Sequence, residues 1–205
     1  MVYRCRDHIC RKNAEFPRIT NVVKDMSKLV FYYSGMDAGK STHLLQKAHN
    51  LQSKGASVAR FTHVLDNRWG SGLIVSRIGI QATAYVYDQT TEFGYGWKKG
   101  SWVFIDEAQF LTKKQVKNLA ELVDRVSVNI LCYGLRTDFK GEPFEGSTYL
   151  MAWADEMREI ESHDAKGDKA SFNIRIDGEG NRLREGSQME IGTHYKSISR
   201  RDFFE

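Results

Sequence analysis

Proline is almost missing from these 205 residues: Pro17 and Pro143 are the only two. Cysteine is nearly as rare, with Cys5, Cys10 and Cys132. An odd, sparse set without framework spacing excludes a disulfide scaffold and fits a reducing cytoplasm. Cys5, His8 and Cys10 do not make a zinc ribbon, because the spacing is wrong and a fourth ligand is missing. No apolar run approaches the roughly 18 residues that cross a bilayer. Arg4, Arg6, Asp7 and His8 leave no apolar signal core after Met1. A strong charge of either sign is lacking too. The net charge is +4, and residues 1–25 carry six Lys/Arg against three acids, so the remaining chain is close to neutral. Nothing in that balance indicates a nucleic-acid-binding body or a membrane surface partner, and any phosphate chemistry must be local. Repeats and low-complexity tracts are absent.

What is present suits one α/β domain with a small appended lobe. Residues 1–25 are basic and weakly periodic, and read as an N-terminal extension or flexible tail, with Met26 a candidate start. Leu29 to Tyr33 reads as a buried strand. A helix opens at Ser41, sets Leu44, Leu45, Ala48 and Leu51 on one face, and ends near Gly55. Ser57 to Val64 is a second strand, 66–82 a glycine-rich connection, and Ala84 to Tyr87 a short strand. Trp102 to Ile105 is a third buried strand. Thr112 caps a helix running to Arg125, and Val128 to Tyr133 is another strand. Strands alternating with helices predict a parallel sheet with right-handed crossovers. Leu150 to Ile160 reads as helix. Beyond it, Phe172 to Ile176 and Met189 to Ile191 read as strand pieces of a small β lobe. The expected units are therefore 1–25, a main α/β domain 26–160 and a lobe 161–205.

Between the first strand and the first helix stands Ser34-Gly35-Met36-Asp37-Ala38-Gly39-Lys40-Ser41-Thr42. That is the context of a P-loop, whose backbone N–H groups and helix dipole hold phosphate oxygens. Lys40 would reach the β- and γ-phosphates, Ser41 would offer its hydroxyl to Mg²⁺, and Gly39 would permit close approach. The first glycine falls one place late, at Gly35, with Ser34 in the usual glycine position. The third strand ends on Asp106-Glu107. In a P-loop enzyme the first acid holds Mg²⁺. Strand alternation would point the second elsewhere, free to take a proton from an attacking hydroxyl or water. This pair supports nucleotide chemistry but does not separate hydrolysis from transfer.

Four segments carry a family resemblance: residues 34–41; Asp66-Asn67-Arg68; Ile105 to Phe110; and Cys132-Tyr133-Gly134-Leu135-Arg136-Thr137-Asp138-Phe139 through Phe144-Glu145-Gly146-Ser147. In order and spacing over residues 28–205 they resemble type II thymidine kinases, most of all the bacterial and T-even phage branch. The resemblance implies a P-loop (RecA-like) parallel sheet with flanking helices, plus a small C-terminal β lobe carrying a lasso loop. It implies transfer of the γ-phosphoryl of ATP to the 5′-hydroxyl of thymidine, and more weakly of deoxyuridine, with Mg²⁺. Glu107 corresponds to the general base and Arg68 to the cation near the transferring group. Asp106 is the Mg²⁺-associated acid, Asp66 belongs to the Arg68 element, and Gln109 sits by nucleotide and substrate. Met36, Phe110, Leu135, Phe139 and Phe144 match walls of the nucleoside pocket. Tyr195 matches the tyrosine over the base. Gln188, Met189, Glu190, Ile191 and Gly192 match the lasso. A cytoplasmic homotetramer without nucleic-acid or membrane partners is implied as well.

The family's lobe usually holds a structural zinc. Here Asp164, Lys166, Ser199 and Asp202 stand at the ligand positions and no cysteine follows Cys132. No structural zinc is expected, and Lys166 is expected to pair with Asp164 or Asp202 in its place. Three other readings remain open: a P-loop ATPase in which Glu107 activates water, a kinase for another nucleoside, and a non-catalytic nucleotide-binding protein.

Overall fold

The computed structural model describes residues 27–94, 96–188 and 194–205. The reading of residues 1–25 and of the Met189–Ile191 strand therefore lies outside the described residues.

Six strands form the main sheet: β1 (Leu29–Ser34), β2 (Val58–His63), β5 (Tyr85–Tyr87), β6 (Trp102–Ile105), β7 (Asn129–Leu135) and β8 (Glu156–Glu159). Their order is β5-β2-β6-β7-β1-β8, and every pairing is parallel. Helices cover both faces, which is why the central strands are almost wholly apolar. Period-two alternation divides the core into two layers. Leu29 and Phe31, Val103 and Ile105, and Ile130 and Cys132 face α2 (Lys113–Val126) and α3 (Glu145–Trp153). Val30 and Tyr32, Phe104, and Leu131 and Tyr133 face Leu44, Leu45 and Ala48 of α1 (Lys40–Gln52). Each such side chain contributes about 1.5–3 kcal/mol by leaving water. Burial also raises the pKa of the Cys132 thiol, so it acts as a core hydrophobe.

The cap on α2 is as read from the sequence. Thr112 accepts the Gln115 N–H, and the Gln115 side chain accepts the Thr112 N–H at 3.0 Å, which makes a capping box. Two expectations are corrected. Residues 66–82 contain strand β3 (Leu73–Val75) and the start of its antiparallel partner β4 (Gln81–Thr83). The predicted helix Leu150–Ile160 is the end of α3 followed by β8. The chain turns extended at Ala154, and Val30 to Tyr33 pair with Glu156 to Glu159. The open edge of β1 satisfies those backbone groups, and tertiary pairing overrides the helical pattern.

The lobe is a separate three-stranded antiparallel sheet in the order β10-β9-β11, from β9 (Ala170–Ile176), β10 (Arg182–Leu183) and β11 (Tyr195–Ser199). Helix α4 (Arg200–Phe204) closes it, and the Phe203 ring stacks on Phe172 with centroids 4.4 Å apart.

Candidate active site

The carboxyl ends of four parallel strands converge on one cleft, the usual ligand-binding end of an open α/β sheet. β1 delivers the phosphate loop, β2 the Asp66–Arg68 segment, β6 the two acids and β7 the stretch from Leu135.

The loop turns at Asp37 (φ 64°) and Gly39 (φ 81°), and the helical ladder begins where His43 N–H meets Gly39 O at 2.9 Å. Gly39 is needed here because the left-handed conformation is costly for residues with a Cβ. The N–H groups ahead of His43 are those that a helix start leaves without intrahelical acceptors. Lys40 is drawn over this loop, donating to Gly35 O at 2.7 Å and Ser34 Oγ at 3.1 Å. Burial lowers its pKa, opposed by Glu107 and Asp106.

Ser41 Oγ donates to Asp106 Oδ2 at 3.0 Å across the end of β7. Two hard oxygen donors side by side fit Mg²⁺. Asp106 is 2% exposed, and burial, followed by the charge of Glu107, pushes its carboxyl up to about 7. A bound cation reverses that balance.

Glu107 is not aimed by strand alternation, as the sequence suggested. β6 has already ended at Ile105, and Glu107 takes a left-handed backbone (φ 52°) that turns the chain into a 3₁₀ turn at Ala108–Phe110. Such a conformation in a residue with a Cβ costs about 1–3 kcal/mol and persists only where neighbours enforce it. Tyr87 Oη donates to the carbonyls of Glu107 (2.9 Å) and Asp106 (3.3 Å), fixing the turn from β5. Gln109 Nε2 donates to Glu107 Oε2 at 2.6 Å, and its Oε1 accepts Leu135 N–H at 3.2 Å. Arg68 Nη2 lies 3.3 Å from Glu107 Oε1, while its Nε donates to Asp66 Oδ1 at 2.6 Å. Burial opposes the Arg68 charge, but the Asp66 hydrogen bond overcomes this and raises its pKa.

Beside Glu107 lies a cavity of about 510 Å³ including its open mouth, a size ordinary for a small-molecule site. Met36, Phe110, Leu135, Phe139, Phe144, Gln188 and Tyr195 all line it, together with Arg68, Glu107 and Gln109. Phe110 and Phe144 meet edge to face at 5.8 Å. Met189, Glu190, Ile191 and Gly192 lie outside the described residues. The cavity also takes in Thr137, Asp138 and Asn173, which the sequence reading missed. It missed Arg175 too, whose guanidinium lies 4.1 Å over the Phe139 ring and donates to Tyr195 Oη at 2.9 Å and Ser187 O at 2.9 Å. The available signal was Asn173 and Arg175 at period two, alternating with the apolar Phe172, Ile174 and Ile176.

At the zinc-ligand positions the donor set does not suit the metal. Lys166 Nζ pairs with Asp202 Oδ2 at 2.8 Å, and an ammonium has no lone pair to give. Asp164 spends both oxygens on backbone, accepting Lys166 N–H (2.9 Å) and Asp168 N–H (3.0 Å) on Oδ1 and Ser199 N–H (3.2 Å) on Oδ2. Ser199 Oγ caps α4 through Asp202 N–H at 3.2 Å. Of the two expected partners, Lys166 takes Asp202 for its ammonium.

A family model described as thymidine kinase matches residues 27–203. Among curated relatives, a thymidine kinase of Xanthomonas campestris pv. campestris (strain 8004) is 46% identical over 187 residues, covering 87% of this chain and 90% of that protein. One of Shewanella oneidensis is 45% identical over 188 residues (88% and 98% covered). One of Haemophilus influenzae (strain 86-028NP) is 44% identical over 183 residues (85% and 95% covered).

Proposed function

The chain belongs to the thymidine kinase family, and from that premise we propose that it transfers the γ-phosphoryl group of ATP to the 5′-hydroxyl of thymidine in nucleotide salvage. The observation that carries this is the placement of Glu107. Its carboxylate, held by Gln109 and Arg68, lines an aromatic-walled cavity immediately beside the phosphate loop.

In this reading the backbone N–H groups of Ser34 to Thr42 other than that of Met36, together with the Lys40 ammonium, hold the phosphates. Ser41 and Asp106 are the residues that would hold Mg²⁺, which when bound neutralises charge on the β- and γ-phosphates. Glu107 accepts the proton of the 5′-hydroxyl as the O5′–Pγ bond forms and the bond from Pγ to the ADP oxygen breaks. Arg68, anchored by Asp66, offsets charge on the phosphoryl oxygens. Phe110, Phe139, Phe144 and Tyr195 wall the base with Leu135 and Met36, and the Gln188–Gly192 segment reads its edge. Loss of the 5-methyl contact leaves deoxyuridine weaker by about 1–3 kcal/mol. An ATPase that activates water has no use for that cavity.

A cytoplasmic homotetramer completes the proposal. Supporting assembly, β5 is an edge strand with Tyr85 66% exposed, and Trp69 (62%) and Ile78 (69%) are exposed as well. No helix among the described residues is long and apolar enough to cross a membrane.

Glu107→Ala tests the assignment. Removing a general base typically costs on the order of 10²–10⁴ in rate. Transfer should fall that far while ATP affinity stays within about threefold. Retained transfer contradicts the role of Glu107.

A further inference from the structure

The late glycine of the phosphate loop has a local cause. A Cβ on Gly35 would lie 3.3 Å from Ala170 O, 3.3 Å from Ser197 Oγ and 3.5 Å from Asn173 Oδ1. The lobe is therefore pressed against the loop, and position 35 carries no side chain where β9 and β11 meet it. The next residue is gripped on both sides. Met36 N–H donates to Asn173 Oδ1 at 2.7 Å, and Ser197 Oγ donates to Met36 O at 2.7 Å. Ser197 Oγ is also 3.2 Å from Asn173 Oδ1, so the three groups close on one another. Asn173 is 3% exposed, and the N–H it receives is one that the phosphate loop therefore does not offer to a ligand.

Asn173 and Ser197 are direct cross-strand partners, and the neighbouring pair on the same face is Arg175 with Tyr195. That second pair holds the nucleoside cavity: Arg175 lies over Phe139, and both Arg175 and Tyr195 share hydrogen bonds at its rim. One two-strand ribbon thus carries a grip on the phosphate loop and, two residues away, a grip on the wall of the cavity. Met36 itself lines the same cavity from the loop.

We propose that Asn173 and Ser197 are a positioning pair that couples the phosphate loop to the nucleoside pocket, so that filling either site orders the other. This rests on the phosphotransfer reading above. Coupling of this kind is reciprocal: ATP and nucleoside strengthen each other's binding by one common factor.

The experiment is titration calorimetry with thymidine, with and without saturating Mg²⁺ and a non-hydrolysable ATP analogue. Wild-type protein should bind thymidine at least about fivefold more tightly with the analogue present, at the lower end of typical couplings. Ser197→Ala should bring that factor to within about twofold of unity while thymidine affinity without analogue changes by less than about threefold, as the loss of one neutral hydrogen bond allows. Ser197→Thr, which keeps the hydroxyl, should restore the coupling. A second measurement needs no variant: analogue alone should slow amide exchange in β11 of the wild-type protein. A coupling factor of one in wild type, full coupling in Ser197→Ala, or unchanged β11 exchange overturns the latch while leaving thymidine binding intact. A wild-type protein that binds the analogue but no thymidine overturns the substrate reading and the latch with it.

Discussion

Gly146 lies in the first turn of α3, against the turn that carries Gln109 and Phe110. A Cβ there would meet three backbone carbonyls: Ala108 O at 2.6 Å, Leu111 O at 2.7 Å and Gln109 O at 2.8 Å. None is the end of a flexible side chain. The helix or the turn would have to retreat by about 0.6–0.8 Å to restore ordinary contact at 3.4 Å. In an open helix, Gly→Ala gains up to about 1 kcal/mol. Overpacking against fixed atoms costs about 1–3 kcal/mol. The clash should win, leaving Gly146→Ala less stable by about 1–2 kcal/mol, a fall of roughly 4 °C in melting temperature for a chain of this size. The turn supports Glu107 through Gln109, so kcat should fall by more than stability alone explains. Urea unfolding and steady-state kinetics measure both. Gly178→Ala, where a Cβ meets nothing within 4 Å, is the control and should stay within about 0.5 kcal/mol. Equal or greater stability for Gly146→Ala refutes the reasoning.

Asp164→Ala should weaken the lobe more than Lys166→Met, because Asp164 holds three backbone N–H groups whereas the Lys166–Asp202 pair is solvent-exposed; proteolytic release of the C-terminal segment would rank the two, and the reverse order would contradict this. Thr112→Ala removes the capping box of α2 and should cost about 1 kcal/mol in urea unfolding; no loss would mean that the packed face alone holds the helix start. His63 is buried against Tyr87 and Phe110, its Nε2 has no partner among the described residues, and burial lowers its pKa from 6.5 against a weaker opposing effect of Asp88. The unfolded chain then binds more protons than the folded one below pH 6.5, so stability should decline as pH falls from there toward the depressed value. His63→Phe should flatten that decline, and an unchanged slope would assign it to other groups.

The frame of the fold was legible because burial on both sheet faces writes continuous apolar runs, as in Leu29 to Tyr33 and Trp102 to Ile105. The start of α2 was legible because a capping box is local chemistry. β8 was not. Glu156-Met157-Arg158-Glu159 carries no strand signal of its own and is extended because β1 offers it an unpaired edge. The cavity walls followed from a family resemblance rather than from pattern, and the structure brings the described ones together. Glu107 was singled out, but its left-handed turn and the setting of its carboxylate depend on Tyr87 and Arg68 from two other segments as well as on nearby Gln109, a relation that no local motif contains. Asn173 and Arg175 escaped notice because a polar residue in a lobe strand reads as solvated until the strand is seen to face the phosphate loop.

The most direct test of the central claim is transfer from γ-labelled ATP with Mg²⁺, offering thymidine, deoxyuridine, deoxycytidine and deoxyadenosine side by side. Labelled thymidine monophosphate, a smaller yield from deoxyuridine and none from the other two is the predicted result. Loss of ATP with no labelled nucleotide from any of the four would contradict it.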